Sequence, residues 1–84
     1  MSTGPETIDR NIATPPYRQL ADILRRRITS GRIPAGHRIP SQTEIEQEFG
    51  VGRNTIKKAV ALLKAEDLVE TSTGLGLFVK RTDE

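Results

Sequence analysis

The stretch FGVGRNTIKK, residues 49–58, gathers hydrogen-bond donors and positive charge: Arg53, Asn54, Thr55, Lys57 and Lys58, interrupted only by Ile56. Placed at the start of a helix, such groups suit one chemistry. A guanidinium pairs bidentately with guanine and a side-chain amide with adenine. The first backbone N–H groups of a helix attract phosphate. At about 100° per residue, Ile56, Ala59, Val60 and Leu63 form one apolar side. Asn54, Lys57, Lys58 and Ala61 fall opposite, with Arg53 and Lys64 on one flank. Alone, this pattern would describe any exposed amphipathic helix. Its setting favours the sharper reading, because a glycine turn and a capped helix precede it and a hairpin follows.

Other chemistries find little support. The chain has no Cys and a single histidine, His37, so a metal site would need carboxylates alone beside that histidine. Ser41, His37 and Asp67 could be drawn as a triad, but Ser41 is accounted for as a helix cap and nothing suggests an oxyanion hole. GVGRNT and GLGLFV each begin G-x-G, yet neither completes a dinucleotide-binding fingerprint, and no Lys follows at Walker spacing. We expect no catalytic, cofactor or metal site, and no enzyme.

The elements that must position Arg53 and its neighbours are legible. Residues 1–16, with Pro5 and Pro15-Pro16, read as a flexible arm ending in a rigid stop. A mobile arm can reach into a DNA groove, but this one carries only Arg10, and a disordered leader is the better reading. Tyr17, Leu20, Ala21, Leu24 and Ile28 recur at helical spacing over 17–30. Arg25, Arg26 and Arg27 read as a solvated face that complements the helix C-terminus, in preference to a phosphate-contacting patch, with one such contact allowed. Residues 31–40 are a Gly- and Pro-rich loop with one short strand at 37–39. Ser41 followed by Glu44 forms a capping box, and a helix runs from Gln42 to Phe49. GVG then leads into the helix that starts at Arg53 and runs to about Glu66. Two helices joined by a turn of about three residues containing glycine are a helix-turn-helix signature. The β-type runs 68–73 and 77–81 flank GLG and read as a hairpin, with 82–84 as a tail. The expected core is Leu24, Ile28, Ile45, Phe49, Val51, Ile56, Val60, Leu63 and Leu68.

At 84 residues and a net charge of +2, the chain is one small domain whose charge placement matters more than its total. It has no apolar run long enough for a membrane span and no signal-peptide core. The expectation is a cytoplasmic protein with no membrane contact.

At these spacings the chain resembles the winged-helix DNA-binding domain of GntR-family bacterial transcription regulators, over Tyr17 to Lys80. The likeness is carried by SGRIPAGHRIPS, FGVGRNTIKKA and GLGLFV. The fold it implies is mainly α with a small β-hairpin wing: three helices, a short strand and a two-stranded wing, spanning 17–81. The partner it implies is a double-stranded operator, with helix 53–66 in the major groove and wing 68–80 at the minor groove. Carried across, Arg53 is the main base reader, with Asn54, Thr55 and Lys57 as base or phosphate partners; Lys58 beside them is a further DNA-binding candidate. Gly74 is the wing-tip contact with Thr73 beside it, and Thr43 stands where the family often has an arginine that reaches DNA.

This sequence also departs from the family pattern. Gly52 replaces the usual Ser or Thr, so the helix lacks a hydroxyl cap and one phosphate contact is lost or passes to the backbone. Asp67 stands where glycine is common, Leu75 where a basic wing residue is common, and Leu77 where Thr is common. Such regulators continue into a C-terminal domain that binds an effector and dimerises. That domain is expected to lie outside this chain, and the domain alone is expected to be a monomer. The alternative reading is a winged helix that binds proteins through an apolar wing tip at Leu75 and Leu77.

Overall fold

The computed structural model describes residues 7–72 and 76–80. Helix α1 spans Pro16–Thr29, α2 Gln42–Phe49 and α3 Arg53–Ala65; strand β1 is Val69–Ser72 and β2 Gly76–Val79. This is the expected winged helix-turn-helix. Pro16 opens α1 at a position where a missing N–H costs nothing. α2 opens on the expected capping box and closes on Gly50, whose φ of 64° is easy only without a Cβ.

α3 ends by a different device. The Asp67 N–H bonds the Lys64 carbonyl and the Leu68 N–H reaches back to Leu63, while Asp67 takes φ 65°. These are the two bonds of a Schellman motif. Aspartate tolerates the left-handed region less well than glycine. Its carboxylate pairs with Lys80 from the end of the wing, which raises the Lys80 pKa.

The wing is antiparallel, with Val69 facing Val79, Glu70 facing Phe78, Thr71 facing Leu77 and Ser72 facing Gly76. Val69 and Val79 both turn into the core, as strand alternation requires. The expected short strand is a single bridge, Arg38 to Phe78, on the other edge of β2. Bonds from Ile39 N to Leu77 O and from Val79 N to His37 O extend it. β2 is therefore paired on both sides.

Leu20, Leu24, Ile45 and Leu63 are the largest fully buried side chains, each contributing about 1.5–3 kcal/mol by leaving water. Of the expected core, Leu24, Ile45, Phe49, Val51, Ile56 and Leu63 are buried. Ile28, Val60 and Leu68 are only half-buried and pack against its edge. Ile23, Ile39, Ala59, Val69 and Val79 belong to the core as well. α1 buries a wider stripe than its spacing suggested, because α3 lies along it while the α2 side and the leader close over its margins.

The arginine run is not simply a solvated face. Arg25 binds Glu66 through two bonds of 2.7 Å and also pairs with Asp22, joining α1 to the end of α3. This hydrogen bonding holds the Glu66 carboxyl below its ordinary pKa. Arg27 is buried, bonds Glu48 of α2 at 2.6 Å and lies 5.4 Å from the Phe49 ring centroid. Arg26 alone of the three is exposed.

Within the stretch read as a flexible arm, residues 8–14 make specific contacts. Ile8 packs against the core. Gln19 Oε1 accepts from the Asp9 N–H, and Gln19 Nε2 donates to the Asp9 and Thr14 carbonyls. Arg10 donates to the Gly50 carbonyl at 2.9 Å.

Candidate nucleic-acid interface

The Gly50–Gly52 turn decides where α3 begins. Val51 is buried and anchors the turn, while Gly50 and Gly52 stay exposed. Gly52 is the N-cap of α3 in extended conformation; its carbonyl accepts from Ile56, but no side chain caps the helix. A Cβ at Gly52 would meet nothing within 4 Å. No acidic residue stands in the first turn of α3. The opening N–H groups and the positive end of the helix dipole are therefore left uncapped, beside an exposed Arg53.

Arg53, Asn54, Lys57 and Lys58 are exposed and Thr55 is half-buried. Among the described residues, neither Arg53 nor Lys57 has an ion-pair partner. Burial of Ile56, Ala59 and Leu63 turns the side with Asn54 and Lys57 to solvent. The two neighbouring lysines diverge. Lys57 lines a crevice of about 260 Å³ between α3 and β2, together with Gln42, Val60, Lys64 and Leu77. Lys58 leans the other way, its Nζ 5.6 Å from the centroid of the Tyr17 ring on α1.

Thr43 is exposed on the first turn of α2, next to Gln42, which shares the crevice with Lys57. That crevice brings the start of α2 beside α3. Thr73 and Gly74, expected at the wing tip, lie outside the described residues, as does Leu75. Leu77, expected at an apolar tip, instead packs against the core, opposite Thr71. A protein-binding tip therefore loses one of the two residues that suggested it.

Tyr17, Arg10 and Lys64 were not singled out as site residues by the sequence. Tyr17 lay on the apolar stripe of α1, and its contact with Lys58 depends on how α1 crosses α3. Arg10 sat in a stretch without periodicity. Among the described residues, no group of three or more His, Cys, Asp or Glu could hold a metal, and no helix is long and apolar enough to cross a membrane.

Residues 16–79 match the sequence pattern of the bacterial regulatory proteins of the gntR family. The chain belongs to the GntR family. Among its relatives, the Uxu operon regulator of Haemophilus influenzae is 35% identical over 74 residues, covering 88% of this chain and 28% of that protein. The mannosyl-D-glycerate transport/metabolism system repressor of Escherichia coli is 36% identical over 66 residues, covering 79% of this chain and 28% of the repressor. The chain thus spans less than a third of the length of these GntR relatives. Among solved structures, the DNA-binding domain of AraR in complex with operator superimposes with a TM-score of 0.77 at 33% identity, covering 93% of this chain and 92% of that one. A GntR-family transcription factor from Sulfolobus acidocaldarius superimposes with a TM-score of 0.78 at 28% identity, covering 92% of this chain and 65% of that one.

Proposed function

We propose that this chain is the DNA-reading domain of a cytoplasmic transcription regulator and binds a duplex operator through the start of α3. The observation that carries this reading is the exposed, uncapped start of α3, beside which Arg53 and Lys57 have no ion-pair partner among the described residues. The match over nearly the whole length of an operator-bound domain supports it.

Arg53 reads a base edge, bidentately to guanine. Asn54 faces an adenine or a phosphate, and Thr55 and Lys57 complete the contacts on the same helix end. The Gly52 backbone takes the phosphate contact that a Ser or Thr side chain would make, and Lys58 serves a phosphate. Thr43 reaches the backbone from the start of α2, and Thr73 and Gly74 enter the minor groove from the wing.

Two copies would read half-sites about 10 bp apart, with effector binding and pairing supplied by a further domain. One domain alone is a monomer that binds weakly, which light scattering at micromolar concentration tests.

The decisive experiment titrates wild type and Arg53→Ala against a duplex selected from a randomised library and a scrambled duplex of the same composition. Arg53→Ala should lose about 1–3 kcal/mol of discrimination while remaining folded. Wild-type affinity for the selected duplex in a folded Arg53→Ala variant would falsify reading by α3.

A further inference from the structure

The leader, residues 8–14, is built into the domain through two separate residues. Gln19, a polar side chain buried to 9% exposure, spends its whole amide on it: one bond accepted from Asp9 N–H and two donated to the Asp9 and Thr14 carbonyls, at 2.7–2.8 Å. Without the leader these buried groups would have no described protein partner, a costly state. Asp9 also accepts from the Asn11 N–H through its carboxylate, tightening the bend. Next to Asp9, the Arg10 guanidinium donates to the Gly50 carbonyl.

Gly50 is the left-handed C-cap of α2, and α3 starts from Gly52. Arg10 therefore grips the turn that sets where the donors of α3 point. It also places a cation at the negative end of the α2 dipole. Just after the leader, Tyr17 contacts Lys58 on the second turn of α3. The same N-terminal stretch thus touches the reading end of α3 at its turn and on its flank.

We propose that residues 8–14 are a brace for the reading end of α3, with Gln19 and Arg10 as positioning residues: Gln19 holds the segment on α1, and Arg10 holds the Gly50–Gly52 turn. This rests on the DNA-reading function proposed above. Base discrimination depends on side chains held to a fraction of an ångström, so a looser turn costs specificity before it costs fold.

The test uses the full chain as wild type, Arg10→Ala, Arg10→Lys and Gln19→Leu. Hydrogen exchange of the Gly50 and Ile56 amides, which bond the Glu46 and Gly52 carbonyls on either side of the turn, is measured without DNA. Affinity for the selected and scrambled duplexes is measured at several salt concentrations. Arg10→Ala should speed exchange of these two amides about fivefold, the loss expected for one hydrogen bond, with α1 amides unchanged. It should lower the selected-to-scrambled affinity ratio by a similar factor at an unchanged salt slope. Arg10→Lys should restore part of both. Gln19→Leu keeps the bulk, releases the leader and should reproduce both effects, with Arg10→Ala adding nothing further to it.

Unchanged exchange in Arg10→Ala overturns the brace. Equal weakening on both duplexes, with a salt slope lower by about one unit, also overturns it and makes Arg10 a phosphate contact. Wild-type behaviour of Gln19→Leu overturns the anchoring role. If wild type discriminates no duplex, the DNA-reading function fails and the specificity role with it, while the exchange measurement still decides whether Arg10 holds the turn.

Discussion

α2 and α3 are separated only by Gly50, Val51 and Gly52, yet their N-termini are built in opposite ways. At α2, Ser41 Oγ accepts from the Glu44 N–H at 3.2 Å and Glu44 accepts from the Ser41 N–H at 2.8 Å, so these two N–H groups are engaged within the domain. Glu46 and Glu48 add further negative charge along this helix. α3 starts from a glycine with no side-chain cap and no acid in its first turn, and its first residue is an arginine. A cap typically contributes about 1 kcal/mol, and α3 forgoes it. The contrast separates a helix whose start is closed by its own side chains from one whose start is left open.

The largest effect tests what the two helices share. Leu63 of α3 and Ile45 of α2 are both fully buried in one core. Leu63→Ala should lower unfolding free energy by about 2–5 kcal/mol in urea titration. A loss below about 1 kcal/mol would mean that α3 is not held by that core.

Smaller effects should divide by function. Ser41→Ala should cost about 1 kcal/mol of stability and leave the selected-to-scrambled ratio unchanged. A change in that ratio would erase the distinction between the helices. Gly52→Asp is the mirror experiment, since there is room for the side chain. It should raise stability by a few tenths of a kcal/mol by capping α3. It should also weaken binding to every duplex by about 1 kcal/mol, by setting a like charge near phosphate. Tighter binding would show that the open start of α3 does not face DNA.

The smallest effect concerns Lys58, which lies against Tyr17. Lys58→Ala should move stability by about 0.5 kcal/mol or less and lower the salt slope of binding by about one unit. An unchanged slope would leave Lys58 as a packing partner of Tyr17 alone.

The elements of this domain were determined locally and could be read from the sequence. The Ser41–Glu44 capping box, the glycine turn, the stripe through Ile56, Ala59 and Leu63, and the hairpin each depend on residues a few positions apart. Spacing also turned Arg53, Asn54 and Lys57 away from the core, because a helix with one apolar side has only one other side to offer. What crosses between elements was decided by the tertiary structure alone. Arg27 looked like its neighbours Arg25 and Arg26, yet only the packing of α1 against α2 buries it beside Glu48 and Phe49. Lys57 and Lys58 are adjacent and chemically identical, and the wing on one side and Tyr17 on the other set them apart. Residues 8–14 carry no periodic signal, since their order comes from a buried amide on α1 and a carbonyl in the turn. Helical and strand periods report which side of an element is apolar, but they carry no information about which element arrives to cover it.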